Sequence, residues 1–167
     1  MKINERYQAV ADALYLAAAR ELESIEASFG LPVGNSGDKA PSCVIVDAEA
    51  DASTALAECL AARGIKAWAS PSGEEALGII RQVRPALVLL DLKSEGISGL
   101  QLLARVRRVS PRSRIIILTG WTFPYIEAVT REFQVDAYYL KPVSVETVLQ
   151  VVGKTLDDLS LIGNSGV

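Results

Sequence analysis

The chain has 167 residues, half of them hydrophobic, which suits one ordinary domain with a sizeable core and excludes global disorder. Its formal charge of -3 and pI near 5.1 argue against a broad nucleic-acid or membrane-binding surface. With no histidine it has no Ser-His-Asp or Cys-His triad and no imidazole base or metal ligand, and it cannot be a phosphohistidine donor.

The first thirty residues read as one amphipathic helix. Ile3, Tyr7, Val10, Leu14, Ala17 or Ala18, Leu22, Ile25 and Phe29 recur at steps of three or four, and Gly30 and Pro32 stop it. Residues 31–42 carry breakers without periodicity and read as a linker. From residue 43 to about 160 the pattern alternates, and 161–167 is left as a tail. "CVIVD" is a strand, Asp51 to Arg63 a helix closed by Gly64, and "IKAWAS" a second strand. Ser72 and Glu75 stand in capping-box spacing at the head of the next helix, which stops before Pro85. "ALVLLD" is the third strand, Gly99 to Val109 a helix, "RIIILT" the fourth strand, and Pro124 to Phe133 a helix. "DAYYL" is the fifth strand, and Ser144 to about Leu159 the last helix. Strands alternating with helices imply an α/β fold, a doubly wound parallel sheet covered on both faces. That accounts for the unbroken apolar run of the third strand.

Smaller features fit that frame. Arg105, Arg107, Arg108, Arg112 and Arg114 cluster, and they read as a solvated helix face and loop. Cys43 and Cys59 have no metal or CxxC spacing and read as reduced core residues. No apolar run approaches the ~20 residues of a membrane span, and no signal-peptide core opens the chain, so the expected setting is the cytoplasm.

In an open parallel sheet, chemistry collects beyond the carboxyl ends of the strands. Asp47 ends the first strand, Asp91 the third and Thr119 the fourth, and the fifth runs into Lys141-Pro142. One acid after a strand is weak evidence, because Asp also makes good turns. Four polar residues at equivalent strand ends are much harder to dismiss. A carboxylate can attack a phosphoryl group, a second acid with backbone carbonyls can hold Mg²⁺, and a hydroxyl and an ammonium can each bind a phosphoryl oxygen. Gly96 and Gly99 let the loop after Asp91 fold back closely.

The stretch from Cys43 to about Val152 resembles the receiver domain of two-component response regulators. "VIVDAEAD" is similar to the family's first strand and acidic cluster, and "LVLLDLKSEGISGLQLL" to its phosphoacceptor motif. "RIIILTGW" resembles the strand carrying its switch threonine, and "DAYYLKP" the strand carrying its lysine and usually cis proline. The resemblance implies a flavodoxin-like sheet in strand order 2-1-3-4-5. It also implies that Asp91 is the phosphoacceptor, and that Asp47, Asp91 and the backbone carbonyl of Lys93 are the Mg²⁺ ligands. Thr119 would be the hydroxyl that follows the phosphoryl group, Lys141 its counter-charge, and Tyr138 the aromatic that swings inward on activation. Trp121 and Lys93 lie where the family tunes access of hydrolytic water, so a bulky indole would either shield the acyl phosphate or merely cover the loop.

One position departs from the pattern. The family usually carries a second acid after the first strand as a direct metal ligand, and here that place is Ala48. Glu49 follows with a longer side chain that could reach in. Two readings follow: a receiver that still takes phosphate with a weakened metal site, or a pseudo-receiver acting as a phosphate-independent interaction module. A haloacid-dehalogenase-type phosphohydrolase needs an acid two residues after the nucleophile, where Lys93 stands, and a dinucleotide fold needs a GxGxxG that is missing. The implied partners are a histidine kinase or phosphotransfer protein. A homodimer through the N-terminal helix or a receiver face, and an output domain such as a DNA-binding one outside this chain, are further expectations.

Overall fold

Successive side chains of a strand point to opposite faces, so an apolar strand in a parallel sheet feeds two cores. The computed structural model describes residues 40–93, 96–121 and 126–163, with 160–163 by backbone alone. The expected helix over 1–30 and the linker up to residue 39 lie outside the described residues. Five strands, β1 (Ser42–Val46), β2 (Lys66–Ser70), β3 (Leu87–Leu90), β4 (Arg114–Thr119) and β5 (Ala137–Leu140), form one parallel sheet in the order β2-β1-β3-β4-β5. They alternate with α1 (Ala50–Ala61), α2 (Gly73–Val83), α3 (Gly99–Val109), α4 (Ile126–Glu132) and α5 (Val145–Gly163).

The strand residues divide by parity. Val44, Val46, Val88, Leu90, Ile115 and Ile117 face α2, α3 and α4, where Leu77, Ile80, Leu102, Leu103, Val106 and Val129 close one core. Cys43, Ile45, Leu87, Leu89, Ile116 and Leu118 face α1 and α5 and pack with Leu60, Val148 and Val152. Each Leu or Ile buried to this degree contributes about 1.5–3 kcal/mol. All four residues of β3 are buried, as its unbroken apolar run requires.

The first strand begins at Ser42, inside the expected linker, and the last helix runs to Gly163, past the expected end near Leu159. The expected capping box at Ser72 does not form. Ser72 is the extended N-cap of α2, but its side chain makes no cap bond. Glu75 turns instead to Ser70, whose Oγ lies 2.8 Å from Glu75 Oε2 and accepts from Ser72 N–H at 3.3 Å. A serine ending β2 thus takes the carboxylate that the spacing assigns to Ser72.

The arginine cluster is likewise not simply a solvated face. Arg107 donates to the carbonyls of Phe133, Pro111, Ser113 and Gln134 at 2.8–3.0 Å, tying the end of α3 to the turns that lead into β4 and β5. Burial lowers its pKa, opposed by the charge of Asp136 and aided by Arg114. Arg114 pairs with Asp136, which also accepts from Ile115 N–H at 2.8 Å. These contacts tie together the amino-terminal edge of the sheet, opposite the carboxyl ends of the strands.

Candidate functional site

With β1 and β3 adjacent, the chain leaves β1 into α1 on one face and leaves β3 toward α3 on the other. The connections diverge there, and a topological switch point opens a crevice above the strands. Asp47 and Asp91 stand at its floor, each one residue beyond its strand. Asp91 N–H donates to the Val46 carbonyl at 2.8 Å, and Asp47 N–H to Ser70 at 3.2 Å, so both backbones are fixed by neighbouring strands.

The two acids are held alike. Asp47 Oδ1 accepts from Glu49 N–H at 2.9 Å, and Asp91 Oδ1 accepts from Lys93 N–H at 2.8 Å. Both are turns of an Asp side chain onto the backbone two residues on. Each Oδ2 then meets the same ammonium, with Lys141 Nζ 2.6 Å from Asp47 and 3.0 Å from Asp91. Glu49 Oε1 lies 3.5 Å from that nitrogen as well. Lys141 directly follows β5, is joined to Pro142 by a cis peptide bond, and is pinned by its N–H on the Thr119 carbonyl at 3.0 Å. Its side chain thereby passes β4 to reach acids on β3 and β1. Burial works against the charged lysine, but hydrogen bonds and charge from Asp47 and Asp91 outweigh it and hold the ammonium well above the usual lysine range.

Thr119, the last residue of β4, is fully buried. Its Oγ1 accepts from Trp121 N–H at 3.3 Å, and the Trp121 carbonyl accepts from Tyr138 OH at 3.1 Å. Tyr138 packs with the α4-side core and Tyr139 with the opposite one, so the tyrosine pair divides between the faces as strand geometry demands. The indole of Trp121 is 59% exposed. Whatever the indole covers, the peptide groups of Trp121 are what join Thr119 to Tyr138. Nothing in the sequence marks such a link, because any residue type supplies it.

The loop after Asp91 bends through Gly96 at φ +84°, a value that favours glycine. Gly99 opens α3 against the Leu92 backbone, with no room for a Cβ. Ser98 caps that helix by accepting from Gln101 N–H at 3.3 Å.

The structure therefore brings Asp47, Glu49, Asp91 and Lys141 into direct contact, with the Lys93 backbone bonded to Asp91. Thr119 and Tyr138 meet through Trp121 on the neighbouring strand ends. A family model described as the response regulator receiver domain matches residues 43–153. The chain belongs to the response regulator receiver family. This receiver is 28% identical over 113 residues to the sporulation initiation phosphotransferase F of Bacillus subtilis, covering 68% of this chain and 91% of that protein. It is 33% identical over 103 residues to the transcriptional regulatory protein AfsQ1 of Streptomyces coelicolor, covering 62% of this chain but 45% of that longer relative. Among solved structures, a CheY-like receiver domain protein from Methanospirillum hungatei superposes with a TM-score of 0.67 at 23% identity, over 72% of this chain and 96% of that one. A response regulator from Burkholderia pseudomallei, solved with a phosphorylated aspartic acid, calcium ion and citrate, has a TM-score of 0.62 at 23% identity over 74% and 73% of the two chains. The receiver fold and its place in two-component signalling follow.

Proposed function

We propose that this receiver accepts a phosphoryl group on Asp91 from a histidine kinase or phosphotransfer protein and uses it to switch protein contacts. The observation that carries the reading is the convergence of Asp91 Oδ2 and Asp47 Oδ2 on one lysine ammonium, at 3.0 and 2.6 Å. In the transfer, an Asp91 carboxylate oxygen forms a bond to phosphorus as the donor's P–N bond breaks, and the donor imidazole leaves with the electron pair. Lys141 then shifts from the carboxylate to a phosphoryl oxygen. Thr119 turns its hydroxyl to another, which releases Trp121 N–H and, through the Trp121 backbone, the hold of Tyr138. Such a route makes Thr119 and Tyr138 the switch pair.

The donor set fits a hard divalent cation. Three carboxylates surround one ammonium, leaving two negative charges unbalanced, and every donor is oxygen. Among the described residues no three carboxylate or thiol side chains form a metal cage on their own. Mg²⁺ would therefore be held by Asp47, Asp91 and the Lys93 carbonyl, with water completing its shell, and would neutralise charge on the transferred group.

The reading extends to the whole chain. The receiver unit would run from β1 at Ser42 through α5 at Gly163, with 1–30 an amphipathic helix serving a partner or a second copy, a linker between them, and 164–167 a tail. The setting would be the cytoplasm, with any output domain outside this chain. The B. pseudomallei neighbour, with its phosphorylated aspartic acid and calcium, supports both the acceptor and the cation. Ala48 favours a second reading, a phosphate-independent interaction module. Incubation with a small-molecule phosphodonor and Mg²⁺, followed by intact-mass measurement, separates the two.

A further inference from the structure

Ala48 removes the carboxylate with which the family usually meets its metal, yet the site still faces Lys141 with three acids. The third is Glu49. Its N–H donates to Asp47 Oδ1 at 2.9 Å, so the turn that fixes Asp47 also fixes the backbone from which the glutamate side chain springs. That side chain is 72% exposed and places Oε1 3.5 Å from Lys141 Nζ, on the solvent side of the ammonium. Asp47 and Asp91 take the inner side and are only 14% and 7% exposed.

We infer that Glu49 is the relocated third acid of this site, restoring the charge lost at Ala48 and supplying Lys141 with a counter-ion when Asp47 and Asp91 turn their oxygens to a cation. The inference rests on the phosphoacceptor reading and adds a residue to it. Without Glu49, two aspartates and one ammonium would leave a single negative charge, half of what a divalent ion brings. With it, the balance equals that of two aspartates, a neighbouring third carboxylate and a lysine. Glu49 acts through its charge and through Lys141, so it is a positioning residue and its exposure is no obstacle. The resting contact also explains why an acid so exposed stays near the centre: the ammonium, pinned by the inner pair, lies 3.5 Å from its Oε1.

The test is Mg²⁺ affinity of the full chain, measured by calorimetry and by the Mg²⁺-dependent rise in melting temperature, for wild type, Glu49→Gln, Ala48→Asp and the double variant. One unit charge about 6 Å from a divalent ion in a water-like dielectric changes affinity about tenfold. Glu49→Gln is therefore expected to bind Mg²⁺ about tenfold more weakly at low ionic strength, with the gap narrowing in high salt. Its melting temperature in chelator should stay close to wild type, because an exposed pair contributes little to stability. Ala48→Asp should tighten binding, and adding it to Glu49→Gln should recover at least the wild-type affinity. A Glu49→Gln chain that folds and binds Mg²⁺ as wild type does, while wild type still takes phosphate on Asp91, overturns the inference alone. A wild-type chain that neither binds Mg²⁺ nor takes phosphate overturns it together with the phosphoacceptor reading.

Discussion

Thr119 and Tyr138 grip one residue from opposite ends: Thr119 Oγ1 accepts the Trp121 N–H at 3.3 Å, and Tyr138 OH donates to the Trp121 carbonyl at 3.1 Å. A hydroxyl buried at the end of β4 is thus connected to a ring on β5 at the sheet edge through the backbone of a single residue. In the proposed switch, movement at one would reach the other through these two bonds. Tyr138→Phe removes one bond of this link, at a cost of about 0.5–1.5 kcal/mol. It is expected to leave phosphorylation at Asp91 intact while weakening the accompanying change in Trp121 emission. Fluorescence during phosphodonor treatment, in a Trp68→Phe background, checks this. An undiminished change would break the proposed coupling.

Lys141→Met leaves Asp47 and Asp91 facing each other with no cation between them. Removing one partner of a fully buried ion pair costs about 3–5 kcal/mol, and partial exposure of this lysine reduces the expected loss to roughly 1–3 kcal/mol. Denaturant titration at neutral pH should show the deficit, and raised ionic strength should narrow it by screening the two carboxylates. Divalent cation should restore more stability to this variant than to wild type.

Alkaline pH probes the opposite end of the core. Burial pushes the Cys43 thiol from 9.0 up to about 12, against a smaller opposing effect of the Leu89 backbone. The folded chain therefore keeps a proton that the unfolded chain gives up, so stability falls as pH rises from 9.0 toward 12. Lys141 acts in the same direction but only above its ordinary 10.5, because its folded value is also raised. Between 9.0 and 10.5 the slope that separates wild type from Cys43→Ala belongs to the thiol. Wild type should lose about 1.4 kcal/mol more per pH unit than the variant there. Parallel curves would contradict the burial of Cys43.

Gly99→Ala would drive a Cβ into the Leu92 backbone at the head of α3. Backbone cannot yield as a flexible side-chain tip can, so the cost is expected to reach about 2–4 kcal/mol. Since Leu92 lies between Asp91 and Lys93, the same change should slow phosphodonor labelling. By contrast, a Cβ on Gly120 meets no heavy atom within 4 Å among the described residues beyond its chain neighbours, and Gly120→Ala should be far milder.

Much of this architecture is legible in the chain because apolar runs and breakers coincide. Leu87–Leu90, Gly99–Val109 and Arg114–Thr119 read directly, since two β-rich stretches end at Asp91 and Gly120 and the helix between them ends at Ser110-Pro111. Asp47, Asp91 and Lys141 could be anticipated as neighbours because strand order puts β1 beside β3 and the lysine one strand beyond β4. What spacing cannot show is the choice among competing hydrogen bonds. Glu75 stands three residues after Ser72, yet Ser70 captures it from the end of β2. Arg107 looks in sequence like the arginines around it, but four carbonyls from distant turns converge on it only after folding. The Glu49–Lys141 contact likewise joins residues whose meeting depends on how β1 and β5 end.

The most direct trial is intact-mass measurement of the full chain after treatment with a small-molecule phosphodonor and Mg²⁺, beside Asp91→Asn. Wild type should gain one phosphoryl group, lost on alkaline hydrolysis as an acyl phosphate is, and Asp91→Asn should gain none. No adduct on wild type under conditions that label an ordinary receiver, or an equal adduct on Asp91→Asn, would contradict Asp91 as the acceptor.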